Sequence, residues 1–275
     1  MPELPEVETV VRTLQRLIEG RRIDRVSVNW PPVVGGEVQT FCDALKGQHF
    51  RRFDRRGKYL ILGLDDRTLA VHLRMEGKFY VQLPCEPLSR HVHVIFDLDD
   101  GTQLRYHDTR KFGRMELLEA NPDLTHFHQL GPEPFDEAFN EEYCRCVLKK
   151  KRIAIKTCLL DQSFVAGIGN IYANEICFAL RTDPRRRCDQ LTRSQIRALP
   201  QVTRELLSRA IEAGGSTIRS YTSSLGVTGL FQLQVKVHGR QGEPCPLCGR
   251  PIVKIMVGHW GTYFCPHCQK KRGNG

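Results

Sequence analysis

The chain begins with MPELPEVETVVRTLQRLIEG at residues 1–20, and the rest of the sequence is interpreted outward from this stretch. Apolar residues recur at helical spacing from Val7 to Ile18, and Gly20 stands where a helix end is expected. Proline is favoured at the first turn of a helix, so Pro5 fits a helix start. The stretch therefore predicts an amphipathic helix that carries the N-terminus.

Pro2 presents a free secondary amine if Met1 is removed, and we expect removal because a small residue follows Met1. An α-amino group has a pKa of roughly 8, against about 10.4 for lysine, so more of it is nucleophilic at neutral pH. Its attack on a sugar C1′ gives an iminium that acidifies the C2′ proton and permits elimination. Glu3 is the candidate general acid for opening the sugar ring. On composition alone, the prolines only precede a helix.

Composition limits the class of protein and of partner. The 275 residues suffice for two domains, or for one with an appended module. A formal net charge of +10 and a pI near 9.2 indicate a polyanionic partner, with nucleic acid the first candidate. The sequence shows neither a run of about 18 apolar residues nor a secretion signal pattern. We expect a soluble, cytoplasmic monomer with no membrane partner.

The order of patterns predicts an α+β fold. From about Ile23 to Leu118, short alternating or β-branched runs separated by turn signals predict a β-sandwich or flattened barrel. The GPEPF segment at residues 131–135 marks a domain boundary. Helical patterns follow: one with the KKKR cluster, one at Ile153–Asp161, one from about Gly169 and one at about Thr192–Ala213. The predicted domains are residues 1–130, 131–230 and 231–275.

Four C-terminal cysteines have the spacing of a zinc site. Cys245 and Cys248 form one C-x2-C pair, and Cys265 and Cys268 form another after sixteen residues. Four thiolates leave no open position for water, so we predict one structural Zn²⁺. Two disulfides are the alternative, which the lack of a secretion signal disfavours. The module also carries basic residues that suit a DNA-facing hairpin, namely Lys236, Arg240, Arg250 and Lys254.

Several motifs resemble, in order, those of the bacterial formamidopyrimidine-DNA glycosylases. They are MPELPEVETV, RRGKYL at 55–60, HLRMEG at 72–77, TRKFG at 109–113 and GIGNIY at 167–172, so the resemblance covers almost the entire chain. It implies a bifunctional DNA glycosylase and apurinic/apyrimidinic lyase of base excision repair. Such an enzyme removes oxidised purines such as 8-oxoguanine from double-stranded DNA. The resemblance implies that Pro2 is the Schiff-base nucleophile and that Lys58 assists elimination.

The resemblance also implies residues that support an extruded nucleotide. An enzyme that acts on one base of a duplex must rotate it out of the stack, and the gap must then be filled. Met75 and Phe112 match the family's filling and wedging residues, and Arg110 matches the hydrogen-bond donor to the unpaired base. His91 resembles a DNA contact, although the alternation in HVHVIF also fits an ordinary strand residue. Met or Phe after a strand is, by itself, more often a core residue.

The helical half resembles the family's helix-two-turns-helix, in which amides at a helix start face a phosphate. Asn170 is then a phosphate contact, although an Asn that caps a helix has the same pattern. Five positive charges within residues 149–156 predict salt-dependent binding, or else a solvated charged face. Within them, Lys151 resembles a backbone contact and Lys156 a residue that projects toward the lesion.

The polar segment STIRSYTSSLGVTG at residues 216–229 is predicted to be a mobile loop. It resembles the family segment that closes over the extruded purine, with Arg219 and Tyr221 as its polar and stacking candidates.

Trp260 departs from the family pattern because it stands where an arginine usually clasps a phosphate. Tryptophan offers one N–H and no charge, so DNA binding should be weaker and the second strand cleavage slower unless His259 compensates.

Two further substitutions and two rival functions remain. His238 replaces a usual tyrosine, and Asn174 replaces an aspartate or serine. The nearest rival function is that of the endonuclease VIII branch, which prefers oxidised pyrimidines; the intact set of gap-filling residues argues against it. A non-catalytic binder of damaged DNA would result if Met1 stayed on the chain.

Overall fold

The computed structural model describes residues 1–125, 127–214 and 235–270. Its contacts divide the chain into two compact units, one built on Met1–Leu124 and the other on Thr125–Glu212 with the C-terminal residues. The division falls shortly before the GPEPF segment. Within the described residues, none of the helices has the length and apolar character needed to cross a membrane.

The first unit is a helix packed on two antiparallel sheets. Helix α1 (Leu4–Ile18) lies against one sheet, and a short helix, α2 (Val38–Leu45), lies against the other. The first sheet has the order β2 (Arg52–Arg56), β3 (Tyr59–Gly63), β4 (Arg67–His72) and β8 (Arg114–Glu119). The second has the order β1 (Ile23–Val28), β6 (Val92–Leu98), β7 (Gln103–His107) and β5 (Lys78–Gln82).

The apolar face of α1 builds the core of this unit. Val7, Val10 and Leu14 are buried together with Leu60 of β3 and Phe96 of β6, which joins helix and sheets through one apolar cluster. Burial of this kind is the main favourable contribution to folding. Neither α2 nor β2 was predicted, and the RFDRR sequence of β2 lacks the apolar alternation by which a strand is recognised.

The second unit is helical and ends in a β-hairpin. Its described elements are α3 (Glu141–Leu148), α4 (Ile155–Leu160), α5 (Asn170–Ala179), α6 (Arg193–Glu212), β9 (Val253–Val257) and β10 (Trp260–Phe264). The α+β class is confirmed. The KKKR cluster was wrongly placed inside a helix: α3 ends at Leu148, and the cations lie in the connection to α4. Positive charge is favourable at a helix C-terminus, where the last carbonyls are unsatisfied.

Candidate active site and nucleic-acid interface

The start of α1 concentrates negative charge beside the N-terminus. The Glu6 carboxylate accepts the backbone N–H of Glu3 at 2.8 Å, and the Glu3 carboxylate accepts the backbone N–H of Glu6 in return. Both carboxylates are buried. The unsatisfied N–H groups and the positive dipole end of a helix stabilise acids at this position. Hydrogen bonds within the first turn of α1 therefore suffice to fix the position of the Glu3 carboxylate.

Lys58 brings a buried positive charge to the same place. It lies on the turn between β2 and β3 and is only 6% exposed. Burial lowers the pKa of Lys58, while Glu3 and Glu6 act in the opposite direction. Burial likewise lowers the pKa of the Met1 amine, which Glu3 and Glu6 raise and Lys58 lowers further. The terminal amine, two carboxylates and Lys58 thus form one cluster of interacting charges.

Arg55 holds this turn against α1, which the sequence did not reveal. Its guanidinium donates to the Glu8 carboxylate at 3.2 Å and to the Gly57 carbonyl at 3.0 Å. Gly57 has a φ of 58°, a left-handed conformation that glycine adopts without strain. The ion pair is mostly buried and joins residues far apart in sequence. Arg55 therefore positions Lys58 relative to the N-terminal helix.

The first residue and the two predicted gap-filling side chains line one cavity. Met1, Arg74, Met75, Phe112 and Arg114 surround a volume of about 370 Å³. Met75 is 37% exposed and Phe112 is 48% exposed, although both are large and apolar. Exposed apolar groups that gather at one opening are typical of a binding site. The structure thus brings Met75 and Phe112 to the chain's N-terminus, as their predicted roles require.

Asp108 shapes the loop that carries Phe112. This carboxylate is fully buried, and it accepts the backbone N–H groups of Arg110 at 2.9 Å, Phe112 at 2.9 Å and Gly113 at 2.8 Å. The Arg110 guanidinium lies 4.9 Å from the centre of the Phe112 ring, within the range of a cation–π contact. Sequence reasoning missed Asp108, which directly follows a strand and carries no signal of its own.

Tyr106 explains why each gap-filling motif contains a glycine. A Cβ atom added to Gly77 would lie 2.3 Å from the Tyr106 hydroxyl, and one added to Gly113 would lie 1.7 Å from it. Tyr106 is fully buried on β7. Both loops therefore rest on one tyrosine, and any side chain at either glycine would displace a loop.

His91 lies next to the same loop. Its carbonyl accepts the backbone N–H of Asp108 at 2.9 Å, and its ring packs at 5.4 Å from the ring of His107. Its contact with DNA stays a prediction.

In the second unit, the two predicted lysine contacts differ in environment. Lys151 is partly exposed, and it donates to Asp161 at 2.8 Å, an interaction that raises the pKa of the lysine. Lys156 is fully buried, and its Nζ donates to the Gly261 carbonyl at 3.0 Å and to Thr262 Oγ1 at 2.6 Å. Lys156 therefore fastens α4 to the C-terminal hairpin, and its projection toward a lesion stays a prediction.

Asn170 occupies the first turn of α5 but does not cap it. Gly169 is the residue before the helix, and Asn170 Oδ1 is buried with no hydrogen-bond donor in the described part of the chain. Gln162, which sequence reasoning also missed, fixes the preceding turn through Gly167 N–H at 3.0 Å and the Ile168 carbonyl at 2.8 Å. The Asn170 contact with phosphate stays a prediction.

The residues of α5 anchor the segment that enters the zinc finger. The buried Glu175 carboxylate accepts backbone N–H groups from three consecutive residues at 2.8, 3.0 and 2.8 Å, namely Lys236, Val237 and His238. Burial raises the pKa of Glu175. The Asn174 amide donates to His238 Nδ1 at 2.7 Å, so the two substituted positions contact each other.

The four cysteines converge as their spacing predicts. The sulfur atoms of Cys245, Cys248, Cys265 and Cys268 all lie within 4.8 Å of one another. The nearest pairs, at 3.5 and 3.9 Å, are well beyond the roughly 2.05 Å of a disulfide bond. Four convergent thiol groups are the ligand set of a structural zinc ion. The residues therefore fit one Zn²⁺, and the disulfide alternative is excluded in this structure.

Arg219 and Tyr221 lie outside the described residues.

Three family models match consecutive parts of the chain. They are the formamidopyrimidine-DNA glycosylase N-terminal domain at residues 1–115, the formamidopyrimidine-DNA glycosylase H2TH domain at 130–222, and the zinc finger found in FPG and IleRS at 242–271. The formamidopyrimidine-DNA glycosylase of Bacillus licheniformis is 48% identical, covering 98% of this chain and 100% of the relative. The chain belongs to the formamidopyrimidine-DNA glycosylase family.

Solved structures of this family share the whole architecture. The Lactococcus lactis protein in complex with DNA that contains N7-benzyl-Fapy-dG has a TM-score of 0.92 and 41% identity, covering 98% of this chain and 100% of the other. The same protein in complex with DNA that contains an abasic site has a TM-score of 0.93 and 42% identity, with the same coverage. The predicted membership of the formamidopyrimidine-DNA glycosylase family and the FPG-type zinc finger are both confirmed.

Proposed function

We propose that this protein is a bifunctional DNA glycosylase and apurinic/apyrimidinic lyase that removes oxidised purines from double-stranded DNA. The observation that carries the proposal is that Glu3, Glu6 and Lys58 are buried around the N-terminal amine, next to a buried Pro2, with Met75 and Phe112 lining the cavity beside Met1. A nucleophile, an acid and a second amine are the groups that base removal followed by elimination requires. The relatives named for this activity support the same assignment.

Pro2 is the proposed nucleophile once Met1 has been removed. Pro2 is buried and its nitrogen is an amide while Met1 is present, so removal is required. The Pro2 nitrogen forms a bond to C1′, the bond to the base breaks, and Glu3 protonates the ring oxygen as the sugar opens. The iminium then withdraws electrons, a base takes the C2′ proton, and the released electron pair forms the C2′–C3′ double bond as the 3′ phosphate departs. Lys58, whose pKa burial lowers, assists that elimination.

Contacts with DNA are proposed for residues of both units. Met75 and Phe112 fill the gap left by the extruded nucleotide, and Arg110 bonds to the unpaired base. His91, Lys151, Lys156 and Asn170 are proposed to contact the DNA strand near the lesion, and Arg219 and Tyr221 to close over the oxidised base. The zinc finger holds one structural Zn²⁺. We propose a cytoplasmic monomer with domains at residues 1–130, 131–230 and 231–275.

Borohydride trapping on a duplex with a single 8-oxoguanine tests the mechanism. Borohydride reduces the iminium to a stable amine, so wild-type protein that carries a free Pro2 should form a covalent adduct with the DNA. Pro2→Gly, which replaces the secondary amine, should give much less adduct. Pro84→Gly is the matched control, because Pro84 lies exposed in the connection after β5, and it should trap like the wild type.

Intact-mass measurement of the same sample shows whether Met1 is absent. Protein with a free Pro2 that binds the duplex and yields no adduct would refute the enzyme proposal and leave a damaged-DNA binder. An adduct on a duplex with an oxidised pyrimidine, and none on 8-oxoguanine, would favour the endonuclease VIII-like activity.

A further inference from the structure

The tip of the zinc-finger hairpin holds an aromatic side chain in an exposed position. Trp260 is 45% exposed, whereas Phe264 on the same strand is buried and Tyr263 packs at 5.1 Å from the ring of His238. Tryptophan is highly buried on average, so a half-exposed one beside packed aromatic residues is a candidate contact residue. The aromatic ring combines a broad apolar face with one N–H donor, which suits contact with a flat ligand.

The backbone around Trp260 is fixed by a buried cation. Lys156 donates to the Gly261 carbonyl and to Thr262 Oγ1, and Thr262 Oγ1 donates to the Trp260 carbonyl at 2.9 Å. Removing an ammonium from water is unfavourable unless it gains such partners. The hairpin tip also approaches α4, because a Cβ atom on Gly258 would lie 3.9 Å from Thr157 Oγ1. Trp260 is therefore presented at a defined position and not on a loose loop.

The parts of the chain that meet at the hairpin are rich in positive charge. Four consecutive cations at residues 149–152 precede α4, which the hairpin tip approaches, and β9 carries Lys254 on the face opposite Trp260. Cations attract phosphate groups. Proteins that hold nucleic acid commonly combine cations for the backbone with an aromatic face on which a base stacks.

We propose that Trp260 is a DNA-contact residue that packs its indole against a base or deoxyribose of the bound duplex. The inference rests on the proposed function, because it takes DNA as the ligand. An uncharged indole supplies apolar contact, so its share of the affinity should not depend on salt. The hairpin of this chain therefore contacts DNA by stacking at this position, and charged residues elsewhere in the protein supply the electrostatic part.

Binding to a duplex with a stable abasic-site analogue, measured across a series of salt concentrations, tests this inference. Trp260→Ala should weaken binding about tenfold, the order expected for one lost stack, with the slope of log K against log salt unchanged. Trp260→Phe should lose less, because it keeps an aromatic face. Trp260→Arg should steepen the slope by about 0.9 if it gains one phosphate contact.

Met256→Ala is the matched control on the same ribbon. Met256 is also exposed, but it pairs with Gly261 while Trp260 pairs with Val257, so the two side chains stand on opposite faces. We expect this variant to bind like the wild type. Equal zinc content and melting temperature in all variants would show that the hairpin is intact.

Fluorescence gives an independent readout, because the chain contains two tryptophans. Trp30→Phe leaves Trp260 as the sole reporter, and its emission should change when the abasic duplex is added. Unchanged emission together with unchanged affinity of Trp260→Ala would overturn the inference while leaving the proposed function intact. A shallower salt slope in Trp260→Ala would also overturn it, since that result indicates a lost ionic contact. Wild-type protein that fails to bind the duplex would refute the proposed function, and the inference with it.

Discussion

Replacing Asp108 by asparagine should loosen the loop that carries Arg110 and Phe112. The buried carboxylate uses both oxygens: Oδ1 accepts from Arg110 N–H, and Oδ2 accepts from Phe112 and Gly113 N–H. Asparagine has the same shape but only one acceptor oxygen. Whichever way its amide lies, the NH₂ group faces at least one backbone donor.

The magnitude follows from the number of bonds lost. If the asparagine oxygen faces Phe112 and Gly113, the loop still loses the bond to Arg110 and the charge that strengthened the other two. A hydrogen bond to a charged group contributes roughly 1.5–3 kcal/mol, and a buried donor left unpaired costs about as much. We therefore expect this loop conformation to be destabilised by about 2 kcal/mol, which lowers its equilibrium constant against other conformations about thirtyfold.

Single-turnover excision of 8-oxoguanine measures this effect. The Asp108→Asn rate should fall by about thirtyfold if gap filling by Phe112 and Arg110 limits extrusion of the base. Hydrogen exchange at the Phe112 and Gly113 amides should become faster in the same variant. The catalytic cluster of Glu3 and Lys58 is unaltered, so borohydride should still trap an adduct.

Asp100→Asn is the matched control. Asp100 accepts the Thr102 backbone N–H at 3.0 Å and the Thr102 hydroxyl at 2.7 Å in an exposed turn between β6 and β7. Its replacement should leave the excision rate unchanged. If Asp108→Asn excised 8-oxoguanine as fast as this control, the carboxylate would not be what holds the loop, and the reasoning would fail.

Gly113→Ala should slow excision of 8-oxoguanine, because its Cβ would lie 1.7 Å from the Tyr106 hydroxyl. Adding Tyr106→Phe removes that hydroxyl and should partly restore the rate. Equal rates in the single and double variants would contradict this steric explanation. Burial, and to a lesser extent the positive charge of Lys156, lowers the pKa of His238 from 6.5 to about 4. The unfolded chain therefore binds the proton first, and the free energy of unfolding should fall as the pH drops from about 6.5 towards 4, by roughly 3 kcal/mol at most. In His238→Gln, the melting temperature should fall less between pH 6.5 and pH 4 than it does in the wild type. An equal fall in both proteins would exclude His238 as the source of the acid sensitivity. Cys248→Ser should lower bound zinc well below one ion per chain, measured by metal analysis, and weaken binding to abasic DNA; full zinc content would refute the four-cysteine site.

The sequence determined the parts of this protein whose signals are local. The helical spacing behind Pro5 predicted α1, and the two C-x2-C pairs predicted the convergence of four sulfur atoms that the structure contains. Alternation predicted seven of the eight strands in the two sheets of the first unit, and the α+β class followed from their order relative to the helices. Each of these signals depends on residues close together in the chain.

The motifs also identified residue types without their surroundings. They singled out Lys58 and Lys156 as charges with a function, and both are buried. Neither burial nor partner could be predicted, because Lys58 gains its partners from the start of α1 and Lys156 gains its partners from β10. Strand β2 escaped notice since its pairing with β3, and not its polar sequence, makes it a strand.

Only the tertiary structure decided which groups hold the site in place. Arg55 reaches Glu8, Tyr106 underlies both gap-filling glycines, Asp108 collects the amides of one loop, and Glu175 collects those that lead into the zinc finger. Buried polar groups must find partners, and a close-packed interior supplies them from whatever lies adjacent in space. Sequence spacing specifies which side chains a segment offers, whereas the fold alone specifies which of them meet.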